Sequence, residues 1–297
     1  MIKHLGLKAY GKINLGLDVL RKREDGYHEV RMIMQTVGLY DRIDLVCCSE
    51  PGIKVETNLY YLPNNENNLV YQAAKLLMDE FGIKHGVGIK LKKFIPVAAG
   101  MAGGSSDAAA VLFGVNRMFG LGLSMEQLME RGVRIGADVP YCIMRGTALS
   151  EGIGEVLTPL TAMPQCQVLI AKPALSVSTR FVYENLHADK LKTQDHPDID
   201  GMVNAIEKGD LCKVAGLLGN VLETVTIPAY PVIGHIKEAM TRYGAAGTLM
   251  SGSGPTVFGL FTNPKTAAAA YEQLRHGRDS GLAKQVYLTN FYNRRES

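Results

Sequence analysis

Apolar and polar positions alternate with two different periods along this chain, and the period assigns most elements. Residues 5–20 read as a strand around Ile13–Leu20, and 29–39 and 42–48 read as two more. Val87–Lys93 is another, with Val87, Ile89 and Leu91 on one face. Helical spacing takes over from Asn68 to Phe81 (Leu69, Ala73, Leu76, Leu77, Phe81), with Gly82 as the stop. A second helix is predicted over Ser106–Phe119. A third opens with a capping box at Ser124–Gln127 and ends near Gly136. In the second half, Val168–Lys172 reads as a strand, Ser178–Leu186 as a short helix and 188–200 as a polar loop. Helices are predicted over 201–208, 210–223 and 231–243, the last opening at Pro231. A strand at Thr256–Phe261, a helix at Pro264–Leu274 and a strand at Val286–Phe291 follow.

Strands and helices mix without a strict βαβ series, which predicts an α+β fold. The prolines at 159 and 164 place a boundary near Thr158–Gln165, giving domains 1–160 and 161–297. At 297 residues the chain is long enough for two such domains without disulfides or metal to hold them. Five cysteines with no Cys-x-x-Cys spacing point to reduced thiols and a cytoplasmic location. The opening residues lack the apolar core of a signal peptide, and no run of 18 apolar residues exists to span a membrane. A net charge of +3 without a basic run argues against a nucleic-acid partner and allows a small anionic ligand.

Glycine is the compositional outlier, at 32 of 297 residues, or about one in nine against a typical value of about 7%. Seven of them fall in two short windows, Pro96–Ser106 and Gly244–Gly254. The first window joins a predicted strand to a predicted helix. Its residues are Pro96, Val97, Ala98, Ala99, Gly100, Met101, Ala102, Gly103, Gly104, Ser105 and Ser106. Small residues there expose backbone N–H groups beside a helix N-terminus, an anion site most often used for phosphate. A tight turn with close helix packing fits the same pattern. No Lys follows Gly104, so this is not a Walker A loop, and neither window completes a dinucleotide fingerprint. The second window is either a plain loop with a bulge or a backbone packed against the first.

Candidate chemical groups are few. Lys12, inside a strand pattern, is either exposed or aimed into a site. Asp138, between Ala137 and Val139-Pro140, is either a helix-terminal turn residue or a positioned base. Tyr27 and His28 follow a turn signal and suit either packing or stacking on a base.

Taken together, Pro96–Ser106 followed by Asp107-Ala-Ala resembles the phosphate loop of the GHMP kinase superfamily (galactokinase, homoserine, mevalonate and phosphomevalonate kinases). Lys12-Ile-Asn-Leu, Asp25-Gly-Tyr-His28, Gly136-Ala-Asp-Val-Pro140 and Ser251-Gly-Ser-Gly-Pro-Thr256 narrow the resemblance. They point to the branch whose acceptor is a cytidine-diphosphate-linked methylerythritol, an intermediate of non-mevalonate isoprenoid synthesis. The resemblance runs from about residue 8 to 291. It implies a two-domain α+β fold, with a left-handed βαβ crossover in the N-terminal half and a ferredoxin-like C-terminal half. It implies ATP and Mg²⁺ as cofactors, with Ser105 or Ser106 as a possible metal ligand.

Residue by residue, the resemblance makes Asp138 the base and Lys12 the cation beside it, with Pro96–Ser106 around the ATP phosphates. Asn68, Leu69 and Lys93 fall at the adenine end. Asn14, Tyr27 and His28 fall on the acceptor side, and Tyr183 closes a sandwich on cytosine. Gly11 and Ala98-Ala99 depart from the common pattern while keeping small side chains. The implied enzyme phosphorylates the acceptor's 2-hydroxyl and is a monomer or homodimer. The rivals are a mevalonate- or homoserine-type kinase, and a ligand-sensing relative without catalysis.

Overall fold

The two longest elements are strands β1 (His4–Lys22) and β2 (His28–Cys48), and both run through the two compact units of the chain. The computed structural model describes residues 2–188 and 191–293. One unit comprises the chain up to Gly11, Leu39–Val97 and Ala102–Met144. The other comprises Lys12–Gly38, Ala98–Met101 and the chain from Arg145. From Gly11 to Val19 every residue of β1 is buried, which is how a strand covered on both faces reads. β2 is one strand where the sequence predicts two. The polar residue that suggests a break, Asp41, lies buried inside it, with its carboxylate accepting backbone N–H bonds from Phe94 and Ile95.

In the first unit, β4 (Gly86–Lys92) pairs antiparallel with Arg42–Cys48 and parallel with β3 (Ile53–Thr57). Helix α1 (Leu69–Glu80) makes the crossover between those parallel strands. Its end is fixed by Gly82 at a φ of 60°. Ile83 N–H reaches Met78 O and Gly82 N–H reaches Asp79 O, the paired bonds of a Schellman turn. Three further helices, α2 (Gly103–Phe119), α3 (Met125–Val133) and α4 (Val139–Met144), complete the unit. The Ser124–Gln127 capping box that starts α3 is present. Helix α2 begins three residues before the predicted start.

The second unit holds an antiparallel sheet in the order β11 (Gln285–Asn290), β7 (Gln167–Lys172), β10 (Val257–Phe261), β9 (Gly247–Met250). Helices α9 (Val232–Arg242) and α10 (Pro264–Arg275) pack on it. Strand β5 (Thr147–Glu151) pairs with Met32–Gln35 of β2 and with β6 (Val156–Pro159). The shorter helices are α5 (Thr179–Asn185) and α6 (Ile199–Glu207). The helix predicted over 210–223 is three elements: α7 (Leu211–Gly216), β8 (Gly219–Asn220) and α8 (Glu223–Ala229). Gly216 and Gly219 weaken the helix there, and β8 pairs parallel with Gly16–Leu17 of β1. Part of the predicted 188–200 loop is a 3-10 turn at Thr193–Asp195. Residues 189–190 of that loop and 294–297 of the tail lie outside the described residues.

Candidate active site

The loop between β4 and α2 has an unusual backbone. Ala98, Gly100 and Ala102 have φ of 49°, 72° and 52°, whereas Ala99 and Met101 between them do not have positive φ. Alternation of this kind turns neighbouring N–H groups to one side and forms an anion-binding nest. Two of the three are alanines, each held at a cost of about 1–2 kcal/mol, and such strain collects at ligand sites. Ala102 caps the 17-residue α2 with no side-chain bond. The first-turn N–H groups of α2 are therefore left to a ligand or water. Gly103 and Gly104 serve a different purpose. A Cβ at Gly103 would lie 3.1 Å from Ile95 Cγ2 and 3.1 Å from Lys93 Nζ, and one at Gly104 would lie 3.3 Å from Leu69 Cδ1. These two are small because α2 starts against other side chains.

The second glycine window does pack on the first. Ser251 Oγ donates to Gly100 O at 2.8 Å, and a Cβ on Gly252 would lie 3.2 Å from Gly100 Cα. The Lys12 N–H donates to Met101 O at 3.1 Å, so β1 holds the next residue of the same loop. Behind the window stands Asn220, buried, whose Nδ2 donates to both Met250 O and Gly252 O at 2.8 Å. Its Oδ1 accepts from Leu222 N–H, and Glu223 accepts the Met250 N–H. Sequence reasoning missed Asn220 and Ser251 as supports. Asn220 lies within a predicted helix, where it reads as a surface residue.

Lys12 is buried, so it is not a lysine of an exposed outer face. Its ammonium donates to Asn14 Oδ1 at 2.7 Å, as i and i+2 residues on one face of a strand can. Asn14 Nδ2 reaches Met32 Sδ at 3.4 Å. Between β2 and α5, His28 and Tyr183 meet with ring centroids 5.0 Å apart and planes tilted by 42°. Burial pushes the His28 imidazole below its ordinary 6.5, and Lys22 adds to the shift. Tyr27 is 61% exposed. Beside Tyr183, Thr179 Oγ1 and Ser253 Oγ are 2.8 Å apart.

In the first unit, Asp138 sits half-buried immediately before α4, and its carbonyl accepts the Cys142 N–H. Ser105 Oγ lies 3.9 Å from where a Cβ on Gly136 would be, in the same turn region. Ser106 is turned away, donating to Tyr10 O at 2.6 Å. Asn68 caps α1, accepting from Val70 N–H and donating to Pro63 O. The Lys93 ammonium is enclosed by Asp41 and Asp107 beneath the first turn of α2. Leu69 and Lys93 thus both border the start of α2.

Comparisons with known proteins add the family context. Residues 68–146 match the GHMP kinases N terminal domain and residues 202–279 the GHMP kinases C terminal domain. A 4-diphosphocytidyl-2-C-methyl-D-erythritol kinase of Lachnoclostridium phytofermentans is 58% identical over 288 residues, covering 97% of each chain. A crystal structure of 4-(cytidine 5'-diphospho)-2C-methyl-D-erythritol kinase superposes with a TM-score of 0.80 at 30% identity, covering 97% of this chain and 99% of the other. A homoserine kinase from Cytophaga hutchinsonii gives a TM-score of 0.79 at 19% identity, covering 97% of this chain and 95% of the other, and so shares the fold.

Proposed function

The chain belongs to the 4-diphosphocytidyl-2-C-methyl-D-erythritol kinases, with the GHMP kinase fold, and we propose on that premise that it moves the γ-phosphoryl group of ATP to the 2-hydroxyl of the cytidylylated methylerythritol. A phosphate loop would serve any kinase of this fold. The observation that carries the acceptor assignment is the His28–Tyr183 pair, because an acceptor without a base needs no aromatic clamp. His28 hydrogen-bonds the base edge and Tyr183 covers its face, with Tyr27 and Asn14 on the acceptor side.

Phosphoryl transfer is mainly positioning and charge neutralisation. Backbone N–H groups of Pro96–Ser106 and the start of α2 hold the ATP phosphates. The adenine end lies toward Asn68, Leu69 and Lys93. Asp138 accepts the proton of the 2-hydroxyl. The Lys12 cation polarises that hydroxyl. An Mg²⁺ ion carried on ATP would need only one or two protein oxygens. The Ser105 hydroxyl, half-buried and on the Gly136 side, fits that need, whereas Ser106 is bonded to Tyr10 O. When bound, the ion neutralises charge on the transferring group. The reading keeps 1–160 and 161–297 as the two domains and a cytoplasmic monomer or homodimer without a nucleic-acid partner. Among the described residues no helix is long and apolar enough to cross a membrane.

Asp138→Asn should lower kcat on the order of 10²-fold or more with ATP affinity intact. Cytidine diphosphate should compete with the acceptor in the unmodified enzyme, and His28→Ala should weaken that competition. Near-normal turnover of Asp138→Asn would remove the base assignment. Absence of competition would favour a sister kinase.

A further inference from the structure

Three ionisable side chains are buried together outside the reacting groups. Side-chain exposure is 5% for Lys93, 0% for Asp41 and 3% for Asp107. The Lys93 ammonium donates to Asp41 Oδ2 and, at 2.6 Å, to Asp107 Oδ2. The two carboxyls are unequally served. Asp41 Oδ1 also accepts the N–H groups of Phe94 and Ile95. Asp107 Oδ1 is buried without a hydrogen-bond partner among the described residues. Two anions and one cation would leave a buried net charge of −1, with one anionic oxygen bare. Burial without partners penalises an anion far more than a neutral acid. The position that bears the proton is therefore Asp107, since Asp41 already has three donors. Burial and the nearby Asp41 charge both push the Asp107 carboxyl well above its ordinary range, against the pull of Lys93.

The placement gives the cluster a job. Lys93 lies three residues before Pro96, and Asp107 directly follows Ser106, so their bond joins the two ends of the phosphate loop. Asp41 fixes the backbone of Phe94 and Ile95 on the entry side. Lys93 is held further by Asn58, whose side chain pairs with both its N–H and its C=O. We propose that Asp41, Lys93 and Asp107 form a net-neutral clasp, with Asp107 a neutral carboxylic acid, that positions the phosphate loop for ATP. A neutral cluster also avoids setting a buried negative charge beneath a site for polyphosphate. The inference rests on the ATP-loop reading above.

The test has two parts. Infrared difference spectra at neutral pH should show the carbonyl band of a protonated carboxylic acid in the unmodified enzyme and lose it in Asp107→Asn. That variant keeps a neutral side chain at the position and should raise the KM for ATP clearly less than Asp41→Asn does. Asp41→Asn strips the clasp of its anion and should raise the KM for ATP on the order of 10- to 100-fold while leaving the acceptor's KM unchanged. If Asp41→Asn does not fold, Asp41→Glu replaces it and should raise the ATP KM alone, in the same sense. Absence of the band, or an ATP defect in Asp107→Asn as large as in Asp41→Asn, overturns the proton placement. A defect in acceptor KM instead of ATP KM overturns the positioning role. Failure of the unmodified enzyme to use ATP would instead overturn the kinase reading, and the infrared result stands apart from it.

Discussion

Gly100→Ala tests whether the two glycine windows set the height of the phosphate loop. Gly100 has a φ of 72°, and a Cβ there would overlap the Ser251 carbonyl oxygen and lie 2.9 Å from its carbon. A left-handed alanine costs about 1–2 kcal/mol. Overpacking against backbone adds about 1–3 kcal/mol. The sum, about 2–5 kcal/mol, is relieved only if the loop withdraws from Ser251, which misplaces its N–H groups. If about 3 kcal/mol of it appears in nucleotide binding, the KM for ATP rises on the order of 10²-fold. The acceptor's KM should stay put. Gly82→Ala is the control. Its φ of 60° carries the same backbone cost, with no heavy atom within 4 Å of the new Cβ. It should lower Tm by a few degrees and leave ATP kinetics alone. Steady-state kinetics with ATP and acceptor varied in turn separate the two. Equal ATP behaviour in both variants would refute the reasoning.

Three other results are expected. The His28 imidazole is pushed below 6.5, so it stays neutral at neutral pH and the unfolded chain takes up the proton first on acidification. Its contribution to stability and to acceptor binding is therefore present above about pH 6.5 and declines below it. Acceptor KM should climb as pH falls through that range, and the climb should vanish in His28→Gln. Asn220→Asp turns the nitrogen that serves Met250 O and Gly252 O into an oxygen facing both. It should lower Tm by several degrees, more than Asn220→Ala does, with partial recovery at acid pH once the new carboxyl carries a proton. Lys12→Met removes the cation beside Asn14 and should reduce kcat on the order of 10²-fold or more, with the KM for ATP little changed, as measured by ADP release.

Period and punctuation made the long elements legible. Helix α1 was readable to within a residue because an asparagine cap, an apolar stripe and a glycine in left-handed geometry all agree. The missed elements lack such signals. All six residues of α4 are buried, so no polar face marks its period, and β3 is only five residues long. The break expected between 39 and 42 is absent because Asp41 is buried there, with partners in Phe94, Ile95 and Lys93 that the sequence does not show. At the site, small residues at 98–106 marked a loop of special backbone geometry. The sequence did not distinguish glycines required by conformation (Gly100) from those required by packing (Gly103, Gly104). Asn220, Ser251 and Asp107 act through contacts between residues far apart in the chain or through burial, and local pattern carries neither.

The central claim is that the acceptor is a cytidylylated alcohol. ADP release measured side by side with 4-diphosphocytidyl-2-C-methyl-D-erythritol, mevalonate and homoserine tests it most directly. The account predicts kcat/KM for the first to exceed the other two on the order of 10³-fold or more, since a site built around a base loses those contacts with the others. Comparable or better turnover of mevalonate or homoserine would contradict it.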